Sequence, residues 1–283
     1  MATPAGPASQ APPGAVSRAI PGIKHIIAVG AGKGGVGKTT VSVNLAIALT
    51  RSGSRVGIID ADVYGPNVPM MLGISSQLES DGKKIVPAEK YGIRVVSMGF
   101  LADEKAPLIW RGPMLHGVVR QFFQDVRWGE LDYLVVDMPP GTGDVALSLS
   151  QTVPVSGAVV VTTPQKVSLA DSRRAVAMYE KLNIQTLGII ENMSYYVCPG
   201  CEQETDLFGK GGGVQIAEEL NVPFLGQIPL CTPIRVGGDT GAPIASVEPD
   251  SPGGQAFLQA AERTVDQLSI ASKKPLVPGQ NEH

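Results

Sequence analysis

The segment Gly32-Lys33-Gly34-Gly35-Val36-Gly37-Lys38-Thr39 has residue types and a spacing that suit the capture of a polyphosphate. It follows the pattern G-x-x-x-x-G-K-S/T, in which glycines let the backbone curl until successive N–H groups face one point. Lys38 supplies a positive charge for the β- and γ-phosphates, and Thr39 offers its hydroxyl to Mg²⁺. A helix opening behind the loop adds the positive end of its dipole, so Gly32 through Thr40 form the expected ATP-binding set. The plain alternative is a glycine-rich turn without a ligand, and a strand before the loop with a helix after it argues against that.

Three aspartates could complete this chemistry. Tyr133-Leu-Val-Val-Asp137 ends an apolar run in a carboxylate, which puts an acid at the C-terminal edge of a strand beside the loop. Asp137 would hold a water of the Mg²⁺ shell, the alternative being a helix-capping or turn aspartate. Asp60 and Asp62 close the run Val56 to Ile59, and either could polarise a water attacking the γ-phosphate; Asp62 is the preferred candidate. Of three cysteines, two are spaced Cys198-Pro-Gly-Cys201 and the third is Cys231. That is too few for a secreted disulfide framework, so reduced thiols are expected and a metal site becomes possible. A redox disulfide or two unrelated buried thiols are the competing readings.

The elements that must position these residues are legible as a strand-helix alternation from Ile23 onward. Strands are expected at His25–Val29, Arg55–Ile59, Arg94–Ser97, Tyr133–Val136, Gly157–Thr162 and Leu187–Ile190. Their apolar runs do not alternate, as expected where helices cover both faces of a mostly parallel sheet. Helices are expected over Thr40–Leu49, Ser168–Leu182, Gly213–Leu220 and Gln255–Leu268, the last with Phe257, Ala261, Val265 and Leu268 on one core-facing side. The fold class is therefore α/β, in one domain over residues 22–271 without an internal repeat. A Pro/Ala-rich leader over 1–21 is expected to be disordered and a tail over 272–283 to be mobile.

With 43% hydrophobic residues in 283, the chain can bury one substantial core. Gly (34) and Pro (23) outnumber the few aromatics, which suits many tight turns better than a sandwich or a bundle. A net charge of −3, with no basic run longer than Lys83-Lys84 or Lys273-Lys274, makes nucleic acid an unexpected partner. No stretch approaches the roughly 18 to 20 apolar residues of a membrane span, so a cytoplasmic location without membrane attachment is expected.

A second lysine in the loop, Lys33, and the string Asp60-Ala-Asp-Val-Tyr-Gly-Pro-Asn67 resemble the deviant-Walker-A ATPases of the MinD/ParA type. WRGPM from Trp110, VVDMPPGTGD from Val135, ENMSYYVCPGC from Glu191 and a closing IPL with PIR are similar to the Mrp/NBP35 (ApbC) branch, from about Ile20 to Leu268. The resemblance implies a homodimer that binds ATP, hydrolyses it slowly and carries a 4Fe–4S cluster to apo iron–sulfur proteins. One C-x-x-C supplies two of the four thiolates a cubane cluster wants, so Cys198 and Cys201 of two chains would complete the set at a two-fold axis. Zinc on the same four sulfurs is the physical competitor. The resemblance further implies that Lys33 reaches the nucleotide of the other subunit and that Asn192 contacts adenine, although a turn-capping Asn192 is an equally plain reading.

Two departures stand out. Many bacterial members of the branch carry a small domain where this sequence has only a short leader, and Cys231-Thr232 replaces the usual polar pair after IPL, with Cys231 read as a small buried residue rather than an extra ligand. Two functions compete with cluster carriage. A ParA/MinD-like positioning ATPase would leave the C-x-x-C unexplained and lacks a basic face or an amphipathic C-terminal helix. A zinc-stapled ATPase would use the thiols only to hold a dimer together.

Overall fold

Apolar runs such as Ile26 to Val29 or Ala158 to Val161 are stable in water only when both faces of the sheet they form are covered. The computed structural model shows that arrangement; it describes residues 19–62, 65–75, 79–82, 84–100, 112–141, 143–201 and 203–273, with side chains for all of these except 112–115. In chain order the elements are β1 (Ile23–Gly30), α1 (Lys38–Arg51), β2 (Val56–Asp60), α2 (Val68–Leu72), β3 (Glu79–Ser80), β4 (Ile85–Val86), β5 (Ala88–Lys90), β6 (Ile93–Ser97), α3 (Gly112–Gln124), β7 (Leu131–Asp137) and α4 (Gly143–Thr152). They continue with β8 (Gly157–Thr162), α5 (Lys166–Lys181), β9 (Thr186–Glu191), β10 (Tyr196–Val197), β11 (Glu204–Thr205), α6 (Gly212–Glu219), β12 (Phe224–Gln227), α7 (Thr232–Thr240), α8 (Ile244–Val247) and α9 (Pro252–Lys273).

Eight strands form one sheet in the order β12-β9-β8-β1-β7-β2-β6-β5, parallel throughout except that β5 pairs antiparallel with β6. Successive side chains of a strand go to opposite faces, and here each face has its own core. Ile27, Val29, Ile58, Val135 and Val159 join the core under α1, α8 and α9. Ile26, Ala28, Ile59, Leu134 and Val160 join the one under α3 to α6. Both sets are apolar because neither face meets water.

All six predicted strands form, two at the expected length and four longer by one to three residues, and the four predicted helices are in place. Helix α9 puts Phe257, Ala261 and Leu268 into the core with Val265 against it, and it runs on through Lys273, past the expected end of the domain. Besides short elements, the sequence reading missed α3, α4, α7 and β12. Each carries glycine or proline near its start or within it, and β12 reads Phe-Leu-Gly-Gln, so local propensity argues against the elements that tertiary packing stabilises. The leader before residue 19, Trp110-Arg111 of the WRGPM string and the tail after Lys273 lie outside the described residues. No helix among the described residues is long and apolar enough to cross a membrane.

Helix α9 closes one face of the sheet through a few large side chains, so its contribution is open to measurement. Phe257→Ala, at a fully buried position, is expected to lower unfolding free energy by about 3–5 kcal/mol. Ile270→Ala on the exposed side of the same helix should change it by less than about 0.5 kcal/mol. Urea denaturation of the two variants checks the contrast.

Candidate functional site

Parallel strands end at the same edge of a sheet, and the register here places three functional termini at one level. Gly30 at the end of β1 leads into the phosphate loop, while Asp60 of β2 is the register partner of Asp137 of β7, which itself faces Val29. Strand β1 is flanked by β7 and β8, at the switch point where ligands of open α/β sheets bind. The loop then runs into α1, which starts at Lys38 and has no acidic residue in its first turn, so the positive end of its dipole remains available to an anion.

Two loop glycines are dictated by neighbours as well as by curvature. A Cβ at Gly32 would overlap the backbone carbonyl of Asp171 in α5, and Gly37 combines a left-handed φ of 77° with contact against the Asn192 amide. Gly34 and Gly35 are exposed, Lys33 and Thr40 are half-buried, and Val36 is buried as the loop's apolar anchor. Lys38, an ammonium, is only 7% exposed, so its charge needs a buried partner.

Lys38 Nζ lies 2.7 Å from Asp137 Oδ2 and 4.0 Å from Asp62 Oδ2. Thr39 Oγ1 donates to the same Asp137 oxygen at 2.9 Å, and Ser42 Oγ donates to Oδ1 at 2.5 Å. Asp137, fully buried, is thus held by a cation and two hydroxyls. Thr39 and Asp137 bring hard oxygen donors together beside the loop, the donor type that suits Mg²⁺. Ser42 was not singled out from the sequence; its signal is its place one helical turn after Lys38, whose carbonyl also accepts its hydroxyl at 3.0 Å.

Asp60 and Asp62, alternatives in the sequence, occupy different environments. Asp60 is fully buried and accepts from the N–H groups of Asp62 (3.2 Å) and Val68 (3.1 Å) and from Ser97 Oγ (2.9 Å). It pins the segment between β2 and α2. Burial, and then the neighbouring Asp137 charge, push its carboxyl up to about 7 against the pull of these donors. Asp62 is 8% exposed, with Oδ1 accepting from Gly65 N–H at 3.3 Å and Oδ2 turned towards Lys38.

Asn192 lies immediately after β9, its Nδ2 donating to the Val36 carbonyl at 2.9 Å and its own N–H to Thr162 O at 2.8 Å. Nothing in the sequence pointed to this bracing of the phosphate loop. Cys198 and Cys201 belong to the turn of the β10–β11 hairpin, where Cys198 is half-buried and Cys201 exposed. The N–H groups of Gly200 and Cys201, with the Cys201 thiol, hold the Cys198 thiol below its usual range. Cys231, half-buried, stands at the start of α7 and packs against the core, and burial pushes its thiol up.

The ParA family profile, described as NUBPL iron-transfer P-loop NTPase, matches residues 22–265. An iron-sulfur cluster carrier protein from Synechocystis is 51% identical over 256 residues, covering 88% of this chain and 72% of its own. Among solved structures, a nucleotide-binding protein from Archaeoglobus fulgidus in complex with ADP superposes with a TM-score of 0.71 at 37% identity, over 83% of this chain and 92% of its own. The cell division ATPase MinD of Pyrococcus furiosus shares the fold, with a TM-score of 0.65 at 24% identity over 86% of this chain and 98% of its own.

The raised Asp60 carboxyl makes the stability of the free protein depend on pH. Between the ordinary value of 3.8 and about 7 the folded chain keeps a proton that the unfolded chain gives up. Stability therefore falls as pH rises through that window, by up to about 1.4 kcal/mol per pH unit from this group, and levels off above it. Asp60→Asn is neutral throughout and should flatten the profile between pH 5 and 7 in nucleotide-free denaturation experiments.

Proposed function

The chain belongs to the ParA/NUBPL iron-transfer family of P-loop NTPases, and on that premise we propose that it is an ATP-binding, slowly hydrolysing carrier of a 4Fe–4S cluster. Two copies hold the cluster between them and pass it to apo iron–sulfur proteins in the cytoplasm. The observation that carries this reading is the cysteine pair: two thiols on an exposed hairpin turn, with Cys198 biased towards thiolate. Among the described residues no three His, Cys, Asp or Glu side chains gather into a metal site. A centre needing four thiolates must then draw on a second chain, and a two-fold axis supplies the same pair again.

In the nucleotide site the loop amides and Lys38 bind the β- and γ-phosphates, and Thr39 and Asp137 are the residues that hold Mg²⁺, directly or through its water shell. Mg²⁺ bound there neutralises phosphate charge. Asp62 orients the attacking water and takes its proton as the γ-phosphoryl group leaves ADP. Lys33 reaches across to the partner's nucleotide, so hydrolysis requires the dimer.

Lys38→Ala should abolish useful ATP affinity, because phosphate charge loses its cation in a partly dry site. Lys33→Ala and Asp62→Asn should bind Mg-ATP but turn it over at least about tenfold more slowly. Calorimetric titration with single-turnover hydrolysis separates the two classes, and normal ATP binding by Lys38→Ala would remove the loop from the mechanism.

Anaerobic reconstitution tests the cargo. A shared cluster requires about two irons per chain and an equal amount of sulfide. Cys198→Ala or Cys201→Ala removes two ligands at once by symmetry and should abolish the cluster, whereas Cys231→Ala should leave iron content alone. Four irons per chain, or a cluster retained by Cys198→Ala, would overturn the bridging arrangement. Zinc in place of iron after anaerobic purification would favour a stapled ATPase.

A further inference from the structure

A residue that touches the phosphate loop lies only a few positions before the cysteine pair in sequence. Glu191 ends β9 and its successor Asn192 touches the phosphate loop, while Cys198 begins the turn of the metal-binding hairpin. Glu191, Asn192 and Ser194 are 0%, 4% and 2% exposed, although none has an obvious role in binding phosphate or metal. Burying such polar side chains is costly unless each is satisfied, and here every one is tied to a neighbouring element.

The Glu191 carboxylate accepts from Ser194 Oγ at 2.5 Å, from Gln227 Nε2 at 3.2 Å and from the Gly213 N–H at the start of α6. Asn192 grips the Val36 carbonyl on one side and the end of β8, through Thr162 O, on the other. Met193 adopts a left-handed φ of 53°, uncommon for a residue with a side chain, and its methyl group lies beside Gly37. Beyond it the chain runs alongside residues 228–230: Ser194 N–H donates to Ile228 O, Leu230 N–H to Tyr195 O, and Tyr196 bridges to Leu230. The hairpin follows directly, with Cys198 N–H donating to Gln203 O.

We propose that Glu191–Ser194 is a positioning link through which the state of the phosphate loop sets the placement of Cys198 and Cys201, with Asn192 as its contact on the loop. A polyphosphate held by the loop's amides bears directly on Val36 and Gly37, which belong to that loop. Asn192 is hydrogen-bonded to Val36 and Met193 lies beside Gly37, and the hydrogen bonds on either side leave little slack between them and the hairpin. The first exposed stretch downstream is the cysteine turn itself. Linkage makes the effect reciprocal: metal that fixes the hairpin changes nucleotide affinity by the factor that nucleotide changes metal affinity.

The proposal rests on the carrier reading only for the identity of the cargo, so its test uses Zn²⁺ as a probe of the thiol pairs. Mg-ATP affinity is measured calorimetrically for the intact protein, anaerobically, with and without saturating Zn²⁺. Wild type should show a difference of at least about fivefold. Ser194→Ala and Met193→Gly should bind each ligand alone as wild type does, with the factor reduced towards one. Ser194→Ala leaves a buried acceptor short of a donor and could fail to fold, whereas Met193→Gly suits the left-handed backbone and keeps the test decisive. Asn192→Ala should lose the coupling whatever its own ATP affinity. A factor of one in wild type, or a wild-type factor in Met193→Gly, overturns the link. A protein that couples ATP to Zn²⁺ yet takes up no iron–sulfur cluster would instead overturn the proposed cargo.

Discussion

Two carboxylates, Asp60 and Asp137, are register partners at the ends of adjacent strands, both without exposed surface. Two negative charges so placed cannot both persist in a low-dielectric interior unless something compensates them. Lys38 compensates Asp137 at 2.7 Å, and Asp60 is answered by two backbone amides and a serine hydroxyl together with a raised affinity for a proton. The rest of the site is arranged around that constraint. Lys38 must start a helix to reach Asp137, the loop before it must turn tightly enough to deliver the helix there, and the loop's amides are thereby gathered where phosphate charge can be bound.

The same pair explains how a free site of this kind can stay folded. An ammonium and a carboxylate buried together satisfy each other, with Thr39 and Ser42 taking remaining lone pairs, so the cradle is assembled before a ligand arrives. A nucleotide with its metal would offer both partners replacements of the same sign of charge, phosphate for Lys38 and a divalent cation for Asp137. Exchange of partners, rather than creation of new buried charge, keeps the cost of opening the pair within reach of binding energy.

The parallel sheet also brings the end of β9 beside the phosphate loop. Strand β1 delivers the loop and β9 delivers Glu191 and Asn192 at the same edge, separated only by β8. The hairpin that follows β9 therefore starts a few residues beyond a contact on the loop. Its two cysteines belong to an exposed turn, where a symmetry-related pair could meet them, while Cys231 is drawn into packing around α7. Position in the fold, a hairpin turn for two of them and a helix start for the third, sets these thiols apart.

Much of this was legible in the residues in order. The phosphate loop, the acid closing β7, the C-x-x-C pair and the unalternating strands are local patterns, and local patterns survive without coordinates because their chemistry depends on neighbours a few positions away. Helices α3, α4 and α7 were not legible, since their glycines and prolines oppose the helix locally and only packing against the sheet or its neighbours repays them. Nor could the sequence distinguish Asp60 from Asp62 in environment, or show that Asn192 braces Val36, because those facts depend on strand register and on contacts between residues far apart in the chain. Sequence by itself determined which groups are present and the turns that carry them. Tertiary structure alone decided which carboxylate is pinned, which faces the lysine and what braces the loop, since burial and register are properties of the assembled sheet.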